Sequence, residues 1–373
     1  MPPVLTFDLD TQRRDLDVAR DIARYMPDET PWTVMLLQSR KKGTQTAQFF
    51  WWEEDVYGYW TQVNSGAGYD DTATDIVVDD ASIFAPKDIL KIPRTGEVMF
   101  VSAVNTGTNT ITVMRGYGET AAAAINDDDY VLCLGNAMEE RSSAPQEKIL
   151  QPVKMYNYCG ITRTTFGGSG TVLAEQQVTN EQERARLTRD KGVDHRLSLE
   201  RMLLFGERKE DATNKRRMSR GIEKFITTNV YDAGGEMTEA DFDQNVCEPV
   251  FKYGTKRKVL VASPRMVSII NGFAKDKLQV SQGAKEYGLD LQEYISPHGR
   301  LVIAPSRILE QYYAYHSFVI DMKYVSFRAL RDTKLRRNIQ APDVDGFLDE
   351  YLTEAGLEFR VEKAHMTIKN ATG

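Results

Sequence analysis

The 373-residue sequence predicts an α+β fold that carries an inserted small β-barrel module. Three observations carry this expectation. Residues 72 to 135 break into short β-rich runs, "TDIVVDDASIF", "ILKIP", "EVMFVSAV", "NTITVMRG" and "YVLCLG", punctuated by Gly, Pro, Asn and Asp about every 8 to 12 residues, as in small barrels. Residues 179 to 210 follow a long, highly charged helical pattern. The C-terminal third mixes helix and strand signals. Several modules are expected at this length, because single cores stop growing at roughly 250 to 300 residues.

Residues 1 to 32 are polar and read as an arm, with an amphipathic stretch "LDVARDIARYM" whose Leu16, Ala19, Ala23 and Met26 recur at helical spacing. From 33 to 63 an aromatic β-hairpin is expected. Its centre, "FFWWEEDVYGYW" at 49 to 60, holds seven aromatics and three of the four tryptophans, and "SRKKGTQTA" upstream reads as a loop or turn. The following "VNSGAGYDDTATD" is small and polar, so the aromatics have few local partners and some of those partners are expected on another subunit. The β-module occupies about 66 to 140. After the linker "AMEERSSAPQEK", the run "ILQPVKMYNYCGITRTTF" is extended again, which places the module inside a two-stranded excursion.

Thr179 and Gln182 fit a capping box for the charged helix, whose 31 positions from Asn180 would span roughly 46 Å, with Gly192 a natural site for a bend. "MTEADFDQNVCEPVFKYG" reads as a helix begun at Thr238 and ended by Gly254, and "KVLVAS" as a buried strand. Ser263 and Pro264 form an N-cap and N1 pair. Further strands are expected at "LVIAP", "AYHSFVID", "VSFRALR" and "LEFRVEKAHMTI".

The net charge of −7 and pI near 5.4 argue against a dedicated nucleic-acid binder, and "KRRMSR" (215 to 220), "KRK" (256 to 258) and "KLRR" (334 to 337) read as solvated faces. Cys133, Cys159 and Cys247 are odd in number and far apart, fitting neither a disulfide framework nor a zinc site; they read as buried apolar residues in a reducing compartment. The N-terminus lacks an apolar signal core, and no apolar run reaches about 18 residues, so neither secretion signal nor membrane span is expected.

The sequence offers little catalytic chemistry. "FGGSGT" at 166 to 171 lacks the Lys-Ser/Thr of a phosphate loop and reads as a flexible turn. His195, His298, His316 and His365 are isolated and read as packing or surface. Glu362 and His365 fall in an expected strand, where a three-residue offset puts them on opposite faces. Asp70-Asp71, Asp79-Asp80 and Asp127 to Asp129 read as solvated turn acids, since the spacing of a calcium loop is missing. There is no GxSxG elbow, so an enzyme is disfavoured and no catalytic, cofactor-binding or metal-binding residue is assigned.

A loose arm, an excursion with exposed aromatics, a long charged helix and a mixed α+β domain make sense together if neighbouring copies complete one another's surfaces. Several segments resemble one family, the tailed-phage major capsid proteins with the HK97-type fold, in the SU10-like group. They are "RTTFGGSGTV", "LERMLLFGE", "SRGIEKFITTNV", "VLVASPRMVSIINGF", "LDLQEYISPHGRLVI", "HSFVIDMKYVSFRAL" and "NIQAPDVDGFLDEYLTEAGLEFRVEKAHMTIKN", and the likeness covers essentially the whole chain. The resemblance implies an N-terminal arm at 1–32 and an extended loop at 33–165. It further implies a peripheral domain with a spine helix at 166–236 and 337–373, and an axial domain at 237–336.

In that reading Phe49, Phe50, Trp51, Trp52, Tyr57 and Trp60 are subunit-interface candidates. The resemblance also implies pentamers and hexamers closed into an icosahedral procapsid that expands as the genome enters. Expected partners are a separate scaffolding protein, a portal, a decoration protein and packaged double-stranded DNA contacted non-specifically. The expected location is the virion capsid, assembled in the bacterial host cytoplasm, with no cofactor and no membrane contact. Residues for Lys-Asn cross-linking are not matched, and none is expected. Two alternatives stand beside this one. A capsid-decorating or tail-associated protein would not need the spine helix. A hydrolase with a β-rich attachment module requires a pocket of perturbed titratable groups.

Overall fold

The computed structural model describes residues 30–55, 58–142, 151–175, 182–273, 281–282 and 292–372. The expected arm with Leu16, Ala19, Ala23 and Met26, and the Thr179 end of the capping box, lie outside them. The chain divides into two compact units, Trp52–Val153 and the remainder, Met1–Trp51 with Lys154–Gly373.

The first described element is a helix, α1 (Pro31–Ser39), where the sequence reading starts a hairpin. Pro31 occupies the first turn, where its missing N–H costs nothing, and Trp32, Met35 and Leu36 are fully buried on one face. Only these three positions carry the helical period, and the β-branched and aromatic residues around them pull the local pattern towards strand. Part of the expected loop "SRKKGTQTA" is a short strand, β1 (Lys41–Gly43), and the aromatic run begins in β2 (Gln48–Glu53).

The Trp52–Val153 unit is a six-stranded barrel of β3 (Trp60–Gln62), β4 (Asp75–Val77), β5 (Asp88–Lys91), β6 (Val98–Asn105), β7 (Thr110–Met114) and β8 (Tyr130–Asn136), in the order β3-β8-β5-β6-β7-β4. An antiparallel bridge between Val63 and Val78 joins the first and last strands and closes the ring. Alternate residues, among them Leu90, Ile92, Met99, Val101, Ile111 and Val113, fill the interior. Glu97, just before β6, is buried. Arg115 Nε donates to its Oε1 and Nη2 to its Oε2, both at 2.8 Å, and Arg115 also reaches the Asp70, Ala73 and Ala123 carbonyls. The barrel starts earlier than expected, because Trp60 belongs to β3 rather than to the aromatic hairpin. Asp129, grouped with the solvated turn acids, is buried and held by Arg94.

The chain returns in β9 (Val153–Tyr158), which pairs with β2 in a two-stranded sheet, so the excursion has the expected two-stranded base. β10 (Gly160–Gly168) follows. Where a flexible Gly-rich turn is expected, the strand runs to Gly168 and Ser169 caps α2 (Gly170–Ala174).

The charged helix α3 spans Glu183–Phe205, shorter at both ends than the 179–210 expectation, and its 23 residues extend about 34 Å. It continues through Gly192, against which the Tyr351 hydroxyl packs. It stops at Gly206, where an added Cβ would lie 2.3 Å from the Ser219 carbonyl oxygen and 2.5 Å from that of Met202. Residues beyond it turn back as the hairpin β11 (Lys209–Asp211) and β12 (Arg216–Met218), followed by the short helix α4 (Ile222–Phe225).

The remaining elements are β13 (Val230–Glu236), α5 (Glu239–Phe242) and α6 (Glu248–Phe251) joined by a π-helical turn, β14 (Arg257–Ala262), α7 (Pro264–Phe273), β15 (Ser281–Gln282), β16 (Gln292–Ile295), β17 (Arg300–Pro305), β18 (Ser317–Ile320), β19 (Val325–Arg336), β20 (Phe347–Phe359) and β21 (Met366–Thr372). Both expected caps are present. Asp241 N donates to Thr238 Oγ1 and Thr238 N returns a bond to Asp241 Oδ2, while Met266 N donates to Ser263 Oγ at 3.0 Å.

A four-stranded sheet runs β1-β19-β20-β10, and a seven-stranded sheet runs β13-β21-β18-β14-β17-β16-β15. The second is covered on both sides. Val259 and Val261 of β14 enter one core with α1, α3 and the four-stranded sheet, whereas Leu260 and Ala262 enter another with α5, α6 and α7. Sheet membership crosses the expected domain bounds at several places. β19 belongs with β20 in the four-stranded sheet, and β13 and β21 belong with β14 and β18, strands of the expected axial segment. The expected strand "LEFRVEKAHMTI" is in fact two strands of different sheets, parted at Val361 (φ 52°) and a 3-10 turn over Glu362–Ala364. Glu362 and His365 therefore sit on a turn rather than a strand.

Candidate subunit-contact surface

The period-2 geometry of β2 divides the candidate aromatics. Phe49 and Trp51 are buried, at 4% and 3% exposure, while Phe50 and Trp52 stand at 43% and 63%. Phe49 and Trp51 are thus core residues of their own chain, which corrects their assignment as interface candidates. Their rings stack at 6.1 Å, and Trp51 lies 6.1 Å from Phe225, itself 5.2 Å from Phe359. Close approach of the excursion's base to β20 is possible because position 356 is glycine: a Cβ there would lie 2.4 Å from the Tyr158 carbonyl oxygen.

The outward side of β2 continues onto β9. Phe50 lies 6.2 Å from Tyr156, and Tyr156 meets Tyr158 edge-on at 5.8 Å. Lys154 Nζ sits 3.9 Å from the centre of the Phe50 ring, the Arg208 guanidinium 4.0 Å over Tyr156, and Arg208 Nη1 donates to the Tyr156 carbonyl. Lys154, Tyr156 and Arg208 were not singled out from the sequence. Alternation in "VKMYNY" is the signal for the first two, whereas Arg208 arrives from the far end of α3 and leaves no local trace.

Trp60, 44% exposed, lies on the barrel between Tyr59 at 6.4 Å and Tyr130 at 6.2 Å, and those two neighbours are themselves exposed. Tyr57 lies outside the described residues. Of the six candidates, then, Phe50, Trp52 and Trp60 present apolar area to solvent.

Several strongly perturbed titratable groups lie in the packed interior. Burial pushes the Glu200 carboxyl up to about 7, opposed by the Thr33 N–H and Ser306 hydroxyl it accepts from, at 3.1 and 3.3 Å. This bond ties α1 to α3. Burial lowers Lys258 to about 8 and His365 to about 4; Lys258 Nζ donates to the Tyr253 and Ala364 carbonyls, 3.8 Å from Asp321. His195 is held between Thr164 and Thr353. None of these lines the shallow groove of about 510 Å³ bounded by Glu236, Thr238, Arg265, Ile269 and Phe273. Burial lifts the Cys159 and Cys247 thiols to about 11 and 12, away from the range of reactive thiols; Cys133, by contrast, is half-buried rather than core. Among the described residues no cluster of His, Cys, Asp and Glu could hold a metal ion, and no helix is long and apolar enough to cross a membrane.

A family model described as SU10 major capsid protein matches residues 4–372. No curated protein matches the sequence. Solved structures similar along the whole chain include the cyanophage A-1(L) capsid asymmetric unit, at TM-score 0.57 and 10% identity, covering 99% of this chain and 100% of that one. The capsid of a native GTA particle scores 0.55 at 8% identity, and a Mycobacterium phage Bobi structure 0.53 at 8%, each covering 100% of both chains. At such identities the likeness speaks for the fold alone, and that fold is the HK97 type.

Proposed function

Because the chain belongs to the SU10 major capsid protein family, and is a structural, non-enzymatic protein of the multimeric phage capsid shell, we propose that it forms hexamers and pentamers of an icosahedral shell around double-stranded DNA. The shell assembles in the host cytoplasm with a separate scaffolding protein, a portal and a decoration protein. The excursion carries the inter-subunit contact, with Phe50, Trp52 and Trp60 seated on an adjacent copy and the axial strands around the symmetry axes.

The observation that supports this reading best is the one-residue alternation of β2. Two of its aromatics complete the chain's own core, and two project with nothing from the described residues to cover them fully. Phe50 and Trp52, at 43% and 63% exposure on one side of β2, form a contiguous apolar patch of the kind that marks an interaction site. Light scattering with negative-stain electron microscopy, with and without a candidate scaffolding protein, tests it. Rings or closed shells are expected. A stable 42.3 kDa monomer under every condition would overturn the proposal.

A further inference from the structure

Formal charge divides unevenly between the two units. Trp52–Val153 carries 17 Asp and Glu against six Lys and Arg, net −11; the remainder carries 37 against 41, net +4, which together give the chain's −7. In the barrel, Arg94, Arg115 and Lys87 already pair with Asp129, Glu97 and Glu139. At its closing seam, by contrast, Asp79, Asp80, Asp127 and Asp128 are exposed and none makes a salt bridge to a described residue.

In the other unit a set of cations gathers on one face of the four-stranded sheet. Glu350, Glu354 and Glu358 are spaced by four along β20 and so share a face, about 26 Å long, while Tyr351 and Thr353 on the opposite face meet α3. Each carboxylate is buried, at 0 to 8% exposure. Arg163 and Arg336 share Glu350, Arg331 holds Glu354, and Arg328, Arg360 and Lys42 share Glu358. Six cations thus cover three carboxylates. The cations are the outer layer: Arg163, Arg331, Arg336 and Arg360 are 39 to 55% exposed. Buried carboxylates hold these guanidinium groups in place, so beyond the stretch over Gly356 that Phe49 and Tyr158 of the same chain cover, the face presents an excess of positive charge.

We infer that this arginine-covered face of β10, β20 and β19 is the docking surface for the anionic barrel of a second copy of the chain. The inference rests on the reading above that copies meet through the excursion. Charge complementarity selects the partner. A shell built of many copies supplies one Trp52–Val153 unit of net −11 for every basic face, and that stoichiometry holds before any genome is present.

The test uses the full chain with Arg163→Gln and Arg360→Gln combined. Each change leaves its carboxylate another guanidinium, Arg336 or Arg328, so an unchanged melting temperature is expected. At about 50 mM salt the concentration needed for shell formation should rise about tenfold, and at about 500 mM the variant and the unaltered chain should converge. Asp80→Asn with Asp128→Asn should give the same shift, and all four changes together little more, because both pairs report one contact. Additive shifts would overturn the inference. So would shells that form normally but hold less DNA, which would assign the face to nucleic acid. An unaltered chain that never leaves the monomer would instead overturn the parent reading, whereas Trp52→Ala weakening assembly equally at both salt concentrations would support that reading independently of charge.

Discussion

Adjacent residues of β2 should behave in opposite ways when truncated. Trp51 is 3% exposed and packs between Phe49 and Phe225, so Trp51→Ala removes a buried indole from the core shared by α1, α3 and the four-stranded sheet. Truncating a buried aromatic costs about 3–5 kcal/mol. At about 2–4 °C per kcal/mol for a unit of this size, the dissociated subunit should melt about 6–20 °C lower. Trp52 is 63% exposed, and Trp52→Ala should leave subunit stability within about 0.5 kcal/mol. For assembly the order reverses. If Trp52 anchors an inter-subunit contact, its loss is worth about 2 kcal/mol and raises the assembly threshold more than tenfold. Thermal melts monitored by circular dichroism under dissociating conditions, with sedimentation under assembling conditions, separate the two effects. Equal melting temperatures for both variants would refute the alternation argument, and unimpaired assembly by Trp52→Ala would refute the contact.

Glu200 has a folded-state pKa of about 7, above its unfolded value near 4.5, so its contribution is fully present below the unfolded value and is lost as pH rises through 7. The unfolding free energy should therefore fall by on the order of 3 kcal/mol between about pH 5 and 8, with the melting temperature falling alongside it, and Glu200→Gln should flatten that fall. Arg115→Met leaves Glu97 buried without its cation, and should cost about 3–5 kcal/mol, seen in calorimetry as a lower barrel transition with the other unit unmoved. Gly206→Ala forces a Cβ against two backbone oxygens and should destabilise the Lys154–Gly373 portion by about 1–3 kcal/mol in urea unfolding.

Where structure depends on neighbours in sequence, it was legible. The Thr238 and Ser263 caps, the two-sided burial of "KVLVA" and the many-stranded barrel all follow from local spacing. What escaped depends on distant partners. "FLDEYLTEAGLEF" carries Asp349, Glu350, Glu354 and Glu358, acids that argue against a buried strand until arginines from β10, β19 and α3 are brought alongside them. The need for glycine at the end of α3, position 206, is likewise set in part by a carbonyl thirteen positions further on. For the candidate surface, the sequence singled out a stretch but not its sidedness. Hydrophobicity located "FFWW", and only a known register tells which of its side chains look out.

The pairing of β2 with β9 has an architectural consequence. A hundred residues of barrel leave and re-enter the fold on adjoining strands, so to the rest of the chain they are topologically a short loop. A flexible insertion of that length would cost about 3 kcal/mol more in closure entropy than a turn of a few residues, whereas a folded module whose own ends lie together largely avoids that penalty. The Trp52–Val153 unit is consequently a replaceable cassette. Lineages could lose it, exchange it for another fold with adjoining termini, or have a foreign domain grafted at the same point, while the strands that lead in and out keep their register.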